Sequence, residues 1–176
     1  MDGLDPIVAG AACAFLLAAA TADLRARIIS NRLNVTAAAA AFALQFFTNG
    51  SAGLLTAAVG LSAGLAVLLI PFACGLIGGG DVKFAAAVGA FLGWRILLVG
   101  LASGIIIGGI VGVVSLVSRG RMSVAMKNLW GDLYSLSSGV KPDTLKQTAA
   151  VQTIPYGVLL AIGFAGAIAA HTWRLV

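Results

Sequence analysis

The stretch GLIGGGDVKF, residues 75–84, decides how this chain folds, because it places a charged residue at the end of a long apolar segment. Its aspartate, Asp81, follows 48 residues, 33–80, that include no Asp, Glu, Lys or Arg. Moving a charged side chain toward the centre of a bilayer costs about 2.5–3.5 kcal/mol even on lenient insertion scales. An aspartate kept beside such a segment is therefore a candidate functional residue.

The composition of the whole chain is typical of an integral membrane protein. Of its 176 residues, 60% are hydrophobic and only 10% are charged, whereas a soluble domain has about 25% charged residues. The six acidic residues are all aspartates, at positions 2, 5, 23, 81, 132 and 143. The isoelectric point near 9.8 is explained by basic loops between membrane-spanning helices. We therefore expect lipid around the chain and no nucleic-acid partner.

Six transmembrane helices are predicted, since a spanning helix needs about 20 apolar residues. The uncharged segment is too long for one span, and the turn residues Thr48-Asn49-Gly50-Ser51 are expected to divide it. We expect one membrane-embedded domain, residues 1–176, whose predicted helices are about 6–23, 33–47, 53–74, 81–94, 96–117 and 153–173. The polar loop 118–152 is expected to contain a helix in the membrane interface, because its apolar residues recur at helical spacing. A disordered basic loop is the alternative.

The distribution of basic residues predicts the orientation of these helices. If the loop 25–32 is cytoplasmic, nine of the 11 Lys and Arg residues lie on the cytoplasmic side, and Arg95 and Arg174 lie outside. Membrane insertion favours this asymmetry. Both termini are then predicted outside, and Asp23 and Asp81 both reach the cytoplasmic face.

Asp23 ends the first apolar run, and one chemistry follows if packing joins it to Asp81. Two carboxyl groups about 3 Å apart share one proton, so the ionised member can take a proton from water while the protonated member donates one to a carbonyl oxygen. That is aspartic proteolysis, which needs no metal and no cofactor. Cys13 and Cys74 are expected in the apolar core, and a single histidine, His171, serves Ser-His or zinc chemistry poorly. Taken alone, each aspartate could instead be a solvated helix cap.

Three segments resemble the type IV prepilin peptidases, which are GxGD aspartic proteases. Residues 78–83, Gly-Gly-Gly-Asp-Val-Lys, look like the GxGD motif. Residues 23–31 resemble the segment that contains the family's first aspartate, with Ser30 in place of the family's proline and Asn31 retained. Residues 154–157, Ile-Pro-Tyr-Gly, resemble the family's last-helix signature.

The resemblance implies an all-α integral membrane protein with a GxGD protease-like fold and an aspartate pair at the cytoplasmic face. It implies that the catalytic residues are Asp23 and Asp81. Glycines before the second aspartate would let an extended peptide approach it, and a nearby lysine and asparagine are candidate polar contacts. The supporting residues are thus Gly78, Gly80, Lys83 and Asn31. For the last two, snorkelling to lipid headgroups and capping of the second helix are the alternatives.

The resemblance also implies a substrate and a location. The substrate is a prepilin, whose short basic leader is removed at the cytoplasmic face of the bacterial inner membrane. Longer members carry a cytoplasmic insert with paired cysteines that is linked to N-methylation of the pilin. Because the chain has no such insert, it resembles the short branch found in Flp-type (Tad) pilus systems, and we expect cleavage without methylation. Pilus assembly machinery is a possible further partner.

Other classes of membrane protein remain open at this stage. Intramembrane aspartates beside a broken helix also suit a small transporter or proton-relay protein, although such carboxylates are expected near the bilayer midplane rather than near one face. A non-catalytic scaffold for pilus assembly is a second alternative. A presenilin-like protease that cuts within a span is a third, since it shares the GxGD logic.

Overall fold

The computed structural model describes residues 4–26, 30–73, 77–118 and 156–173, together with residues 120, 123, 126, 127, 130 and 131. Four long helices run through these ranges, and the described residues form no strand. The helices are α1 (Pro6–Ala26), α2 (Asn31–Ala73), α3 (Gly79–Ser118) and α4 (Tyr156–Trp173). The all-α fold class is thereby confirmed.

The helices have the length and composition of membrane spans. Three of them, α1, α2 and α3, are long and apolar enough to cross a bilayer, and residues 157–172 form a shorter apolar helix. Large apolar side chains also cover much of the surface; Phe47 is 82% exposed and Ile70 is 72% exposed. Such a surface suits lipid rather than water. The chain is therefore a membrane protein, while the number of spans stays a prediction.

Helix α2 is not one straight rod. Its 43 residues would extend about 65 Å, roughly twice the hydrocarbon core of a bilayer. Gly50, with φ 61° and ψ −140°, interrupts the helix, and the chain turns back there, because a Cβ atom on Gly53 would overlap the backbone of Gln45. In a continuous helix these two residues would be about 12 Å apart. We call 31–49 the first arm of α2 and 51–73 its second arm.

Helix α3 turns in the same way at Gly93. Its φ of 73° and ψ of 169° lie outside the helical region, in a conformation that glycine adopts far more readily than other residues. A Cβ atom on Gly89 would lie 3.1 Å from a methyl carbon of Leu97, eight residues later. We call 79–92 the first arm of α3 and 94–118 its second arm. The predicted boundary at Arg95 lies just after this turn.

Small residues bring the second arm of α2 against the first arm of α3. A Cβ atom on Gly60 would overlap the backbone of Gly89, and one on Gly64 would lie 2.6 Å from the carbonyl oxygen of Ala85. Small residues allow helix backbones to approach this closely. These glycines therefore serve helix packing.

An aromatic cluster joins α1, α3 and α4. The ring centroid of Phe15 lies 5.5 Å from that of Phe84 and 6.1 Å from that of Phe91. The Phe84 ring also lies 6.0 Å from Phe164 of α4. All four side chains are buried, and aromatic pairs of this kind stabilise by about 0.5–1.5 kcal/mol beyond the burial of area. The cluster therefore anchors the start of α3, where Asp81 lies.

The chain divides into two compact units, of which the first, Met1–Ile106 with Pro155–Val176, contains every residue of the site described below. The second unit is Ile107–Ile154. Its described residues complete α3 and include exposed helical positions such as Met126 and Trp130. Most of the predicted interfacial helix lies outside the described residues, so it remains a prediction.

Candidate active site

Asp23 lies in the last turns of α1, which continues to Ala26 rather than ending at residue 23. Its side chain is buried, with 9% of its surface exposed. The carboxylate oxygen Oδ2 accepts a buried hydrogen bond from the backbone N–H of Gly157, at 2.9 Å. The first turn of a helix has N–H groups without intrahelical partners and carries partial positive charge. The start of α4 is therefore a suitable partner for this carboxylate.

Gly157 has to be a glycine for this contact. A Cβ atom at this position would lie 2.8 Å from Oδ2 of Asp23 and 3.1 Å from its Cγ. Sequence reasoning noted Gly157 only as part of a resemblance and missed its bond to Asp23, since the two residues are 134 positions apart. A glycine in the first turn of a predicted helix, after Pro155, is a weak signal for such a contact.

Asp81 is the third residue of α3 and is half-buried. It closes a small turn with Gly78: the Asp81 N–H donates to the Gly78 carbonyl at 3.1 Å, and the Gly78 N–H donates to Oδ2 of Asp81 at 3.3 Å. The backbone of the glycine segment thus orients the carboxylate. Gly78 itself is exposed, whereas the ring of Phe72 lies against Gly79.

The packing of α1 on the first arm of α3 brings the two aspartates to one level. Helix α1 and this arm of α3 run in opposite directions. Phe15 packs against Phe84 and Phe91, while Leu4, just before the start of α1, lines a cavity with Leu92, at the end of the arm. Two turns beyond Phe15, Asp23 reaches the start of α3. An electrostatic interaction, smaller than the effect of burial, links the Asp81 carboxyl group to Asp23.

A family comparison bears directly on this pair of residues. The model of the type IV leader peptidase family matches residues 10–113, which is more than half of the chain and includes both Asp23 and Asp81. The chain belongs to the type IV leader peptidase family. No significant match was found among curated proteins or among solved structures.

Family membership confirms the resemblance that the motifs carried. Type IV leader peptidases are membrane aspartic peptidases that act on prepilins, so a leader-peptidase type of function is indicated for this chain. The matched region ends at residue 113 and does not extend to α4. The contact between Gly157 and Asp23 is therefore an observation on this leader peptidase that the family match does not include.

Lys83 and Asn31 contact each other at the rim of the leader peptidase site. The Lys83 Nζ donates to Asn31 Oδ1 at 2.9 Å, and both side chains are exposed. The cap of α2 is Ser30, whose Oγ accepts from the N–H of Leu33 at 3.2 Å. The serine that replaces the family's proline thus supplies a capping oxygen, and Asn31 binds Lys83 instead.

Asn34 is a polar residue near the aspartates that sequence reasoning missed. It is only 3% exposed, and its Nδ2 donates to the Gly80 carbonyl oxygen at 3.5 Å. Its Oδ1 is buried and has no hydrogen-bond partner in the described part of the chain. One signal was available in the sequence, namely a second asparagine one helical turn after Asn31.

A cavity of about 560 Å³ lies at the other end of α1. Its polar lining residues are Asp5, Gln45, Asn49, Thr56, Arg95 and His171. Asp5 and Asp23 are separated by about 27 Å along α1, at 1.5 Å per residue, so this cavity is distinct from the aspartate site. Among the described residues, no three His, Cys, Asp or Glu side chains are grouped as metal ligands would be; chemistry without a metal stays a prediction.

Proposed function

We propose that this leader peptidase uses Asp23 and Asp81 as its catalytic pair to cut the short basic leader from Flp-type prepilins, without N-methylating the product. The observation that supports the proposal most is that Asp23 and Asp81, 58 residues apart in sequence, each accept a hydrogen bond from a backbone N–H group where the end of α1 meets the start of α3. Burial of one carboxylate and half-burial of the other are costly in a membrane protein. We therefore infer that both residues are kept for a function. The family match supplies the reaction class.

The proposed reaction needs only the two carboxyl groups and water. The ionised carboxylate takes a proton from water as the water oxygen bonds to the scissile carbonyl carbon, and the protonated carboxyl donates its proton to the carbonyl oxygen. The resulting diol collapses when the C–N bond breaks. The leaving nitrogen takes the proton that came from water, and one diol hydroxyl returns a proton to the other carboxylate. The pair therefore regains its single shared proton.

The surroundings of Asp81 favour an extended peptide as substrate. Gly78, Gly79 and Gly80 precede it without side chains, and Gly78 is exposed. A peptide backbone can therefore approach the carboxylate past the exposed Gly78. The apolar helix that follows a prepilin leader would lie along the exposed apolar side chains of the bundle, in the bilayer.

We further infer that the arms of α2 and α3 each cross the membrane, which gives six spans with α1 and α4. Turns at Gly50 and Gly93 would lie on the outer side, at the end of the cavity. The aspartates and most basic residues would then face the cytoplasm of a bacterial inner membrane, with both termini outside, as the positive-inside asymmetry favours. Accessibility of single cysteines introduced at 51 and 83 to impermeant reagents tests this orientation.

The decisive experiment is co-expression with an Flp-type prepilin. Wild type is compared with Asp23→Asn and Asp81→Asn, and processing is followed by pilin mobility and by mass spectrometry of the new N-terminus. We expect processing by the wild type alone, an unmethylated product, and both variants at wild-type levels in the membrane. Equal processing by either variant would remove that residue from the pair. Absence of processing in all three, across several prepilins, would favour a transporter or a scaffold.

A further inference from the structure

We propose that Asn34 is a positioning residue that sets the orientation of Asp81 by holding the peptide group between Gly80 and Asp81. The inference rests on the proposed catalytic role of Asp81. Nothing in the motifs that define the family resemblance includes Asn34. The inference follows from three observations on Asn34: its side-chain amide is buried, its Nδ2 donates to the Gly80 carbonyl at the start of α3, and its Oδ1 has no partner among the described residues.

The peptide group of Gly80 and Asp81 is held from both sides. Its carbonyl oxygen, on Gly80, accepts from Nδ2 of Asn34 at 3.5 Å. Its N–H, on Asp81, donates to the carbonyl of Gly78 at 3.1 Å. A peptide group is planar, so fixing both ends fixes its tilt and with it the direction in which the Asp81 side chain leaves the backbone. Glycines before Asp81 give the segment freedom that these bonds restrict.

The burial of Asn34 indicates that the amide is kept for this bond. Its side chain is 3% exposed, whereas the polar side chains near it on α2, those of Asn31, Arg32 and Thr36, are exposed. Its Oδ1 lacks a partner within the described residues, and an unpaired buried acceptor destabilises a fold. A leucine of similar size would avoid that cost. Asn34 therefore lowers the stability of the fold but supplies a hydrogen-bond donor to Gly80, and such a cost is common around functional sites.

The chain offers a matched control in Gln45. This amide lies on the same arm of α2, is 4% exposed, and its Nε2 donates to the carbonyl of Phe91 at 2.8 Å. It makes the same kind of contact with the same arm of α3, about 15 Å from Asp81 along the helix. Loss of either amide removes one hydrogen bond between α2 and α3, and loss of Gln45 also removes the bond it accepts from Asn49. Loss of Asn34 alone affects the peptide group of Asp81.

The first test compares Asn34→Leu with Gln45→Leu in purified full-length enzyme, using a prepilin as substrate. We expect kcat of Asn34→Leu to fall about 10- to 100-fold with KM within threefold of wild type, because misplacement of a catalytic group by about 1 Å has effects of this size. Gln45→Leu should lower the melting temperature while kcat stays within threefold. Equal kcat losses in the two variants would assign Asn34 a structural role and overturn the inference.

The second test uses Asn34→Asp, whose introduced carboxyl can donate to the Gly80 carbonyl only when protonated. Activity of this variant relative to wild type should therefore fall as pH rises, while the ratio for Asn34→Leu stays flat. If Asn34→Leu is not recovered folded, the pH dependence of the Asn34→Asp ratio decides, and a flat ratio overturns the inference. Asp81→Asn is run alongside: if it retains processing, the proposed function fails, whereas a dead Asp81→Asn beside a fully active Asn34→Leu refutes this inference alone.

Discussion

The two ends of α1 carry the same residue type in different surroundings. Asp5 is half-buried at the start of the helix, and its Oδ1 accepts the N–H of Ile7, two residues along, at 2.8 Å. Asp23 is buried near the end of the helix and accepts an N–H from α4, 134 residues along. The first contact is a local helix cap. The second depends on tertiary structure, because it joins α1 to α4.

Burial and the partner of an aspartate, rather than its position at a helix end, therefore distinguish a catalytic candidate from a cap. Both ends also have a basic residue on α3. Arg95 stacks on the ring of Trp94 at 5.4 Å, near the cavity, and Lys83 binds Asn31 near the aspartates. Only the end with Asp23 and Asp81, among the described residues, has two aspartates that each accept a hydrogen bond from a backbone N–H group of a glycine. Predictions that change one end and leave the other intact follow from this contrast.

The largest effect is expected when the same substitution is made at both ends of α1. Asp23→Asn should lower prepilin processing at least about 10³-fold, because one carboxyl of a pair that works by general acid–base catalysis is lost. The introduced amide oxygen can still accept the Gly157 N–H, so the fold should persist. Asp5→Asn should keep wild-type processing, since asparagine also caps helices. Initial rates of pilin conversion at matched enzyme levels measure both.

A failure of this contrast would be informative in either direction. Loss of processing in Asp5→Asn at normal membrane levels would mean that the cavity end contributes to catalysis or to substrate binding. Retained processing in Asp23→Asn would remove the buried carboxylate from the reaction, whatever its contact with Asp81.

Much of this contrast was accessible from sequence. Charge depletion over 33–80 predicts the apolar helices, and the turn residues around Gly50 predict where α2 reverses. The GxGD-like segment and the run after Asp23 predict the catalytic candidates, because both motifs are local in the chain. Local patterns report on helix formation and on short loops, which is why these features could be read without a structure.

Contacts between distant residues could not be predicted in the same way. The bond from Gly157 to Asp23 and the bond from Asn34 to Gly80 depend on how four helices pack. No periodicity encodes them, and glycine and asparagine have common structural roles that hide such a function. Sequence reasoning also missed that Ser30, and not Asn31, caps α2. The family has a proline where this chain has Ser30, and proline has no capping side chain.

A smaller effect than that of Asp23→Asn is expected for Gly157→Ala. The added methyl would lie 2.8 Å from Oδ2 of Asp23, so the carboxylate or the start of α4 must move, and we expect kcat to fall about 10- to 100-fold. Gly166→Ala is the matched control in the same helix, because a Cβ atom there meets nothing within 4 Å. This control should raise the melting temperature slightly, since alanine favours a helix by about 1 kcal/mol over glycine.

The pair of glycine variants separates catalysis from helix stability. If α4 only needed to be a stable helix, both alanine variants would process prepilin at least as fast as the wild type. Processing that is unchanged in Gly157→Ala would show that the N–H contact does not position Asp23.

The smallest effect is expected at the two basic residues. Lys83→Met removes the exposed bond to Asn31, and Arg95→Met removes the stacking on Trp94. Exposed polar contacts contribute at most about 1 kcal/mol, so each variant should process prepilin within threefold of wild type, measured as kcat/KM at low and high salt.

Lys83→Met is the sharper case because Lys83 lies near the aspartates. A drop well beyond threefold that is confined to Lys83→Met, with KM raised and kcat kept, would mean that the lysine leaves Asn31 to bind the substrate backbone. A fall in kcat with KM unchanged would instead mean that the lysine acts on the carboxyl pair. Equal small losses in both variants would mean that the two ends of α1 do not differ through their basic residues. The difference would then rest on the aspartates and the backbone groups that bind them.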